Sequence, residues 1–132
     1  MSEDVRTLAP TESRFVKGSA VETLSIDALE GVKLAANLGV KPMMVGRDMV
    51  FLEVHRQAGI TDPKHSHPDH ESICYLVSGK VRVVIEDEEF IAEPGDIWIH
   101  PAGVPHFHET LEDSVQLEIK SPPRKTWPDP KA

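Results

Sequence analysis

Gly59-Ile60-Thr61-Asp62-Pro63-Lys64-His65-Ser66-His67-Pro68-Asp69-His70-Glu71-Ser72-Ile73-Cys74-Tyr75-Leu76-Val77-Ser78-Gly79 is the stretch whose reading decides the fold. His65 and His67 stand at i and i+2. In an extended chain side chains alternate with period two, so both imidazoles share one face. Neutral imidazole is the commonest protein ligand for divalent transition metals. About forty residues on, Gly95 leads through Pro101 and Gly103 to His106. A third imidazole from that distant segment can complete a site inside a closed β structure.

The intervals sharpen this reading. Five residues separate Gly59 from His65, four separate His67 from Ser72, and six separate Ser72 from Gly79. In the later segment five residues separate Gly95 from Pro101, one separates Pro101 from Gly103, and two separate Gly103 from His106. This pattern resembles the two motifs of the cupin family, G-x5-H-x-H-x(3,4)-E-x6-G and G-x5-P-x-G-x2-H-x3-N, over roughly residues 45 to 120. The resemblance implies an all-β fold, a double-stranded β-helix (jelly-roll) barrel, and a metal held by His65, His67 and His106. Two positions depart from it: Ser72 replaces the motif's carboxylate and Thr110 its final Asn.

The fourth ligand is open. A neutral Ser72 hydroxyl is a poor donor for such metals. Glu71 is the neighbouring carboxylate, but one residue of slip points it to the other sheet face unless a bulge swings it inward. Glu71 or water therefore completes the expected set of His65, His67 and His106. Three imidazoles with open positions suit Zn, Fe, Ni, Mn, Co or Cu, and affinity order alone does not choose among them. Of the other histidines, His70 reads as an exposed turn residue and His108 as a group behind His106 or against a substrate. His55 and His100 read as structural. Cys74 reads as a small buried apolar group and Trp98 as core packing.

The rest of the chain reads as strands and turns. Residues 1–20 form an N-terminal arm, 21–121 the barrel, and 122–132 a Pro-rich extended tail. Asp27-Ala28-Leu29-Glu30 could open a helical turn, while Val32 to Leu38 alternates like a strand. Met49 to His55 and Ser72 to Val77 are strands, Gly79 turns the chain, and Lys80 to Glu86 returns through an acidic tip at Glu86-Asp87-Glu88-Glu89. Ile97 to His100 is a short strand and Val115 to Lys120 the last one. Many short strands with Gly/Pro turns and no long helix indicate a sandwich or barrel.

The C-terminal run Gln116-Leu117-Glu118-Ile119-Lys120-Ser121-Pro122-Pro123-Arg124 is similar to the ending of small cupins of the pectin-degradation type, which open the ring of unsaturated uronates. That resemblance implies an acid, an aromatic and an arginine near the metal. Arg124 matches, Glu118 replaces the acid, and Lys120 stands at the aromatic. The implied catalytic pair is Glu118, as proton acceptor or donor, and Arg124, as a fork for a substrate carboxylate. On the residues alone, Gln116, Glu118 and Lys120 are equally readable as the solvent face of an edge strand, with Arg124 pairing an acidic neighbour.

These readings lead to a metal-dependent lyase or isomerase for a small polar acid, possibly sugar-derived. The alternatives are an iron-dependent three-histidine dioxygenase and a non-enzymatic small-ligand or metal-binding cupin. A net charge of −8 argues against nucleic acid or an anionic membrane as partner. No apolar run approaches the ~20 residues needed to span a bilayer. No signal-peptide pattern is read at the start, and the single Cys74 excludes an internal disulfide framework, so a cytoplasmic protein is expected. A homodimer is expected, with about Thr23 to Leu38 pairing across a two-fold axis.

Overall fold

The computed structural model describes residues 7–127, and the outer ends of the expected arm and tail, 1–6 and 128–132, lie outside them. Seven strands follow a short 3-10 turn at Gly18–Ala20: β1 Leu24–Leu29, β2 Val32–Val45, β3 Val50–Arg56, β4 Glu71–Ile85, β5 Glu88–Ala92, β6 Ile97–His100 and β7 His106–Ser121. They pair antiparallel in the order β1-β2-β3-β7-β4-β5, with β6 on the other side of part of β4. This is the jelly-roll architecture expected of the sequence.

The long strands β4 and β7 run beside each other from Glu71↔Ser121 to Ile85↔His106. Register shifts between Leu76 and Val81 let this pair bend from one side of the barrel to the other. Gly79 lies inside that bend rather than at a turn, which corrects the sequence reading. Its φ is +93°, and a Cβ there would stand 2.1 Å from Ser114 Oγ and 2.4 Å from the Asp113 carbonyl. Only a residue without a side chain fits such a close approach of two backbones.

Asp27 to Glu30 opens no helix. Leu29 pairs with Val32, and the two residues between them, Glu30 (φ 51°) and Gly31 (φ 78°), make a tight hairpin. Positive φ at both central positions is the turn whose twist matches its flanking strands. This hairpin carries Glu30 over one end of the barrel, where its amide donates to the Thr126 carbonyl. Strand β1 pairs only with β2 and stands at the end of the strand order.

The inward faces follow the alternation. In β3, Val50, Leu52, Val54 and Arg56 point inward. One apolar cluster gathers Ile26, Leu38, Val40, Leu52 and Trp127, and a second gathers Leu76, Val81, Val83, Ala92 and Trp98. The tail is not simply extended: Thr126 and Trp127 are buried, and Lys120 Nζ donates to Thr126 Oγ1 at 2.9 Å. The arm lies against the barrel through Leu8 and Thr11, whose amides donate to the carbonyls of Pro123 and Val45.

Strand β7 reverses the ordinary pattern. Its inward residues are His106, His108, Thr110, Ser114, Gln116, Glu118 and Lys120, whereas Ile119 is 41% exposed. Gln116, Glu118 and Lys120 are therefore interior groups and not a solvent face. Buried charge is costly unless paired, so a polar lining on a small barrel's main strand marks a site.

Candidate metal centre

His65 and His106 are joined backbone to backbone, amide to carbonyl in both directions, at 3.0 and 2.8 Å. The His67 carbonyl accepts from the Gly103 amide at 2.8 Å. These bonds bring the two histidine motifs together across the mouth of the barrel. The three rings have centroids 4.5 to 5.0 Å apart, and their ligand nitrogens lie within 4.8 Å of one another.

The tautomers follow from the partners. His65 Nδ1 lies 2.8 Å from the Pro63 carbonyl and His106 Nδ1 3.2 Å from the Val104 carbonyl. A carbonyl only accepts, so each Nδ1 carries the proton and donates. His67 Nδ1 donates likewise to Glu30 Oε1 at 3.2 Å. All three rings thus turn Nε2 towards the common space as a lone pair. His106 Nε2 is buried and has no hydrogen-bond partner among the described residues. That orphaned atom and three converging imidazoles fit a divalent transition metal.

The electrostatics agree. Burial first, then the Lys120 ammonium, lowers the His67 pKa to about 2. Burial, with His108 and His65 adding to it, lowers that of His106 to about 3. His70, His100 and His108 are also shifted downward, chiefly by burial. Ligand imidazoles must be unprotonated to bind, and these rings are.

No fourth protein ligand comes from the expected place. Ser72 is buried, but its hydroxyl lies 3.0 Å from His100 Nδ1. Glu71 is exposed on the outer face with Ile73 and Tyr75. The bulge that would have swung it inward is absent from that part of β4, because the pairing is regular from Glu71 to Leu76. His70, read as an exposed turn residue, is instead buried and stacked on His67 with centroids 4.5 Å apart.

Behind the triad lies a connected set of polar groups. Arg56 Nη1 donates to Asp62 Oδ1 at 2.7 Å, and Asp62 Oδ2 lies 2.6 Å from His108 Nδ1. His108 Nε2 lies 3.1 Å from His100 Nε2, and Trp98 Nε1 donates to that His100 nitrogen at 3.1 Å. The His100 ring stacks flat on His106, at 3.9 Å and 4°. Burial alone would raise the Asp62 carboxyl, yet Arg56 and His108 outweigh it and hold Asp62 well below the usual range. Trp98 packs in the core as expected, and Cys74 is fully buried. Phe107 lies under the Arg82 guanidinium, 5.5 Å from ring centroid to Cζ, and His55 pairs with Glu53.

Glu118 lines the same cavity as the triad. It accepts from the Cys74 thiol at 3.4 Å and from Gln116 Nε2 at 3.2 Å, and faces Lys120 Nζ at 3.4 Å. Burial would raise its pKa, but Lys120, then His100, His67 and Arg56, hold it well below the ordinary value. Burial and the neighbouring Glu118 push the Cys74 thiol well above its ordinary range, so it stays protonated. Arg124 is not in the cavity wall: it pairs with Asp69 at 3.3 Å and donates to Thr7 Oγ1. The expected pair is thus divided, with Glu118 at the site and Arg124 outside it. Asp62 and Arg56 are cavity-wall residues that sequence reading missed, while His70 is buried outside that wall, in a second pocket with Pro68, Asp69 and Pro101.

Comparison with known proteins places these features. The cupin domain family profile matches residues 52–119, just over half of the chain. The pectin degradation protein KdgF of Dickeya dadantii is 33% identical over 78 residues, covering 58% of this chain and 71% of that protein. Oxalate decarboxylase OxdC of Bacillus subtilis is 28% identical over 94 residues, which span only 24% of its length. The solved structure of KdgF from Halomonas sp. superposes with a TM-score of 0.72 at 24% identity, over 83% of this chain and 95% of that one.

Proposed function

This chain belongs to the cupin family, and from that premise we propose that it is a metal-dependent lyase or isomerase acting on a small, carboxylate-bearing, sugar-derived molecule. One observation carries the proposal: the ionised Glu118 carboxylate lines the same cavity as His65, His67 and His106. The name of the Dickeya dadantii relative, a pectin degradation protein, supports an acidic sugar fragment as the substrate class.

His65, His67 and His106 would hold the metal, which supplies polarisation of a substrate hydroxyl, carbonyl or carboxylate oxygen. Glu118 accepts the proton released beside that oxygen and returns it. Its Oε1 is fixed by Cys74 and Gln116, and its pairing with Lys120 keeps it ionised. Lys120 stands where the pectin-degradation type carries an aromatic. Its ammonium is, with Arg56, a cation on the cavity wall, and it takes the substrate-carboxylate role that the sequence reading gave to Arg124. The Arg56–Asp62–His108–His100 series braces the ring of His106 from behind.

The cavity measures about 410 Å³ including its space open to solvent, and Leu29 at the β1–β2 hairpin and Thr126 and Trp127 of the C-terminal segment also line it.

The test is ring opening of unsaturated uronates followed by NMR, with metal-loaded wild type and Glu118→Gln. Wild type should turn over, and the variant should retain metal while losing at least ~100-fold in rate, since an amide cannot take the proton. No turnover by loaded wild type, or equal turnover by the variant, would reject the assignment. A second reading, iron-dependent dioxygenation, is favoured by the all-nitrogen triad, which no carboxylate joins among the described residues. Oxygen uptake with Fe(II) alone would select it.

A further inference from the structure

Strand β7 turns its polar residues into the cavity, and the same alternation turns its apolar ones out. Leu117 and Ile119 stand on its outer face, and the neighbouring strands set apolar side chains beside them. One cross-strand row runs Ile99, Ile73, Ile119 and Phe51, over β6, β4, β7 and β3. The next runs Ile97, Tyr75 and Leu117 before it ends on Glu53. Side chains directly opposite on paired strands have Cβ atoms about 5 Å apart, so each row is continuous. Val77 extends the block along β4.

This block is open to water. Ile73, Tyr75, Val77, Ile97, Ile99 and Ile119 are each 41 to 66% exposed. Together they present roughly 500 Å² of apolar surface, towards the upper end of the patches a monomer carries. The outer face of an antiparallel sheet ordinarily alternates to polar residues, and here the polar residues of β7 line the cavity instead. Charge stands only at the border. Glu53 on β3 is tied to Lys41 at 3.5 Å and to His55 at 3.1 Å, and Glu71 closes the end of β4.

We propose that this outer face of β3, β7, β4 and β6 is an interface between two copies of this chain, each laying the same block against the other. The area fits that occupant. A standard interface covers about 800 Å² on each partner, and in homodimers about two-thirds of it is apolar, which is the size of this block. The charge fits as well. A two-fold contact sets a patch against itself, so a charge at its centre meets its like. Two chains of net charge −8 can meet here because the block holds no charged side chain. The contact is independent of pairing through β1, which stands at the far end of the strand order and leaves this face uncovered.

Light scattering of the full chain at micromolar concentration tests the face. A Tyr75→Glu/Ile97→Glu variant should have half the mass of wild type, with the circular dichroism of the β fold retained. Ile91→Glu is the control, because Ile91 is 47% exposed on β5, beyond the bend and off this face. Its mass should equal that of wild type. Equal mass in a folded Tyr75→Glu/Ile97→Glu would overturn the proposal, as would a monomeric wild type or a control that dissociates equally. A second measurement needs no variant. Tyr75 is the chain's single tyrosine, so its nitration by tetranitromethane reports on this face in wild type. Nitration at micromolar protein should be at least tenfold slower than in urea, and a rate within twofold of the unfolded one would show the face open and overturn the proposal.

Discussion

Acidification should destabilise the metal-free protein well before its carboxylates titrate. His67 and His106 have pKa values lowered to about 2 and about 3, whereas an unfolded histidine titrates near its ordinary value of about 6.5. Between those limits the unfolded chain binds more protons than the native one, so stability rises with pH. The stabilisation is complete above the unfolded value and is lost as pH falls below it. Going from pH 7.5 to 5.5, each such histidine removes about 1.4 kcal/mol, or about 3 kcal/mol for the pair. His70, His100 and His108 shift in the same direction and add to this. Asp62 and Glu118, both held below the usual carboxylate range, contribute nothing over that interval. Urea denaturation of chelator-treated protein measures the effect. With a slope of about 1–3 kcal/mol per molar, the midpoint should fall by at least ~1 M between pH 7.5 and 5.5. A His67→Gln/His106→Gln double variant should be visibly less sensitive to pH. A midpoint that does not move in the wild type would refute the picture of neutral, buried imidazoles.

Three further outcomes are expected. His106→Ala should remove stoichiometric metal while the circular dichroism of the β fold persists, and unchanged metal content on elemental analysis would contradict the triad. Gly79→Ala should destabilise by more than about 3 kcal/mol, because its Cβ would meet the Asp113 carbonyl in a left-handed conformation; a wild-type urea midpoint would show that the bend is not needed. We also propose a homodimer that pairs through the edge strand β1, and a monomer mass by light scattering at micromolar concentration would reject it.

The fold and the triad were legible because each rests on local rules. His65 and His67 share a face by alternation, and glycine and proline at fixed intervals place His106 opposite them. What escaped depends on facts that alternation does not encode. Period two divides Gln116, Glu118 and Lys120 from Leu117 and Ile119, but it does not say which set faces inward. The residues left both readings open, and the barrel buries the polar set. Asp62 and His70 each sit beside a proline or acid in a turn-like string, and turn chemistry explains such residues locally. Their burial arises only when the loop is pinned across β7, through the Asp62 amide on the His108 carbonyl and the His65–His106 bridge. Gly79 misled for a related reason, since glycine serves a turn and a bulged bend equally well.

The polar interior also bears on how site and fold depend on each other. Arg56, Asp62, Glu118 and Lys120 are all buried, and taking such ions from water costs several kcal/mol each unless they are well paired. Each has a partner: Arg56 with Asp62 and Glu118 with Lys120, while Cys74 and Gln116 Nε2 donate to Glu118, and Gln116 Oε1 and Thr126 Oγ1 accept from Arg56 and Lys120. Such a lining adds less to stability than hydrophobic residues of the same volume would. The structural work falls instead to the apolar clusters on the β1–β3 side and around β4 to β6. Neither cluster contains a residue of the triad. The barrel can therefore persist at neutral pH with the metal removed, and its histidines become the point at which acid opens it. Burial that keeps His67 and His106 neutral prepares them for a metal and exposes the fold to protons through the same rings.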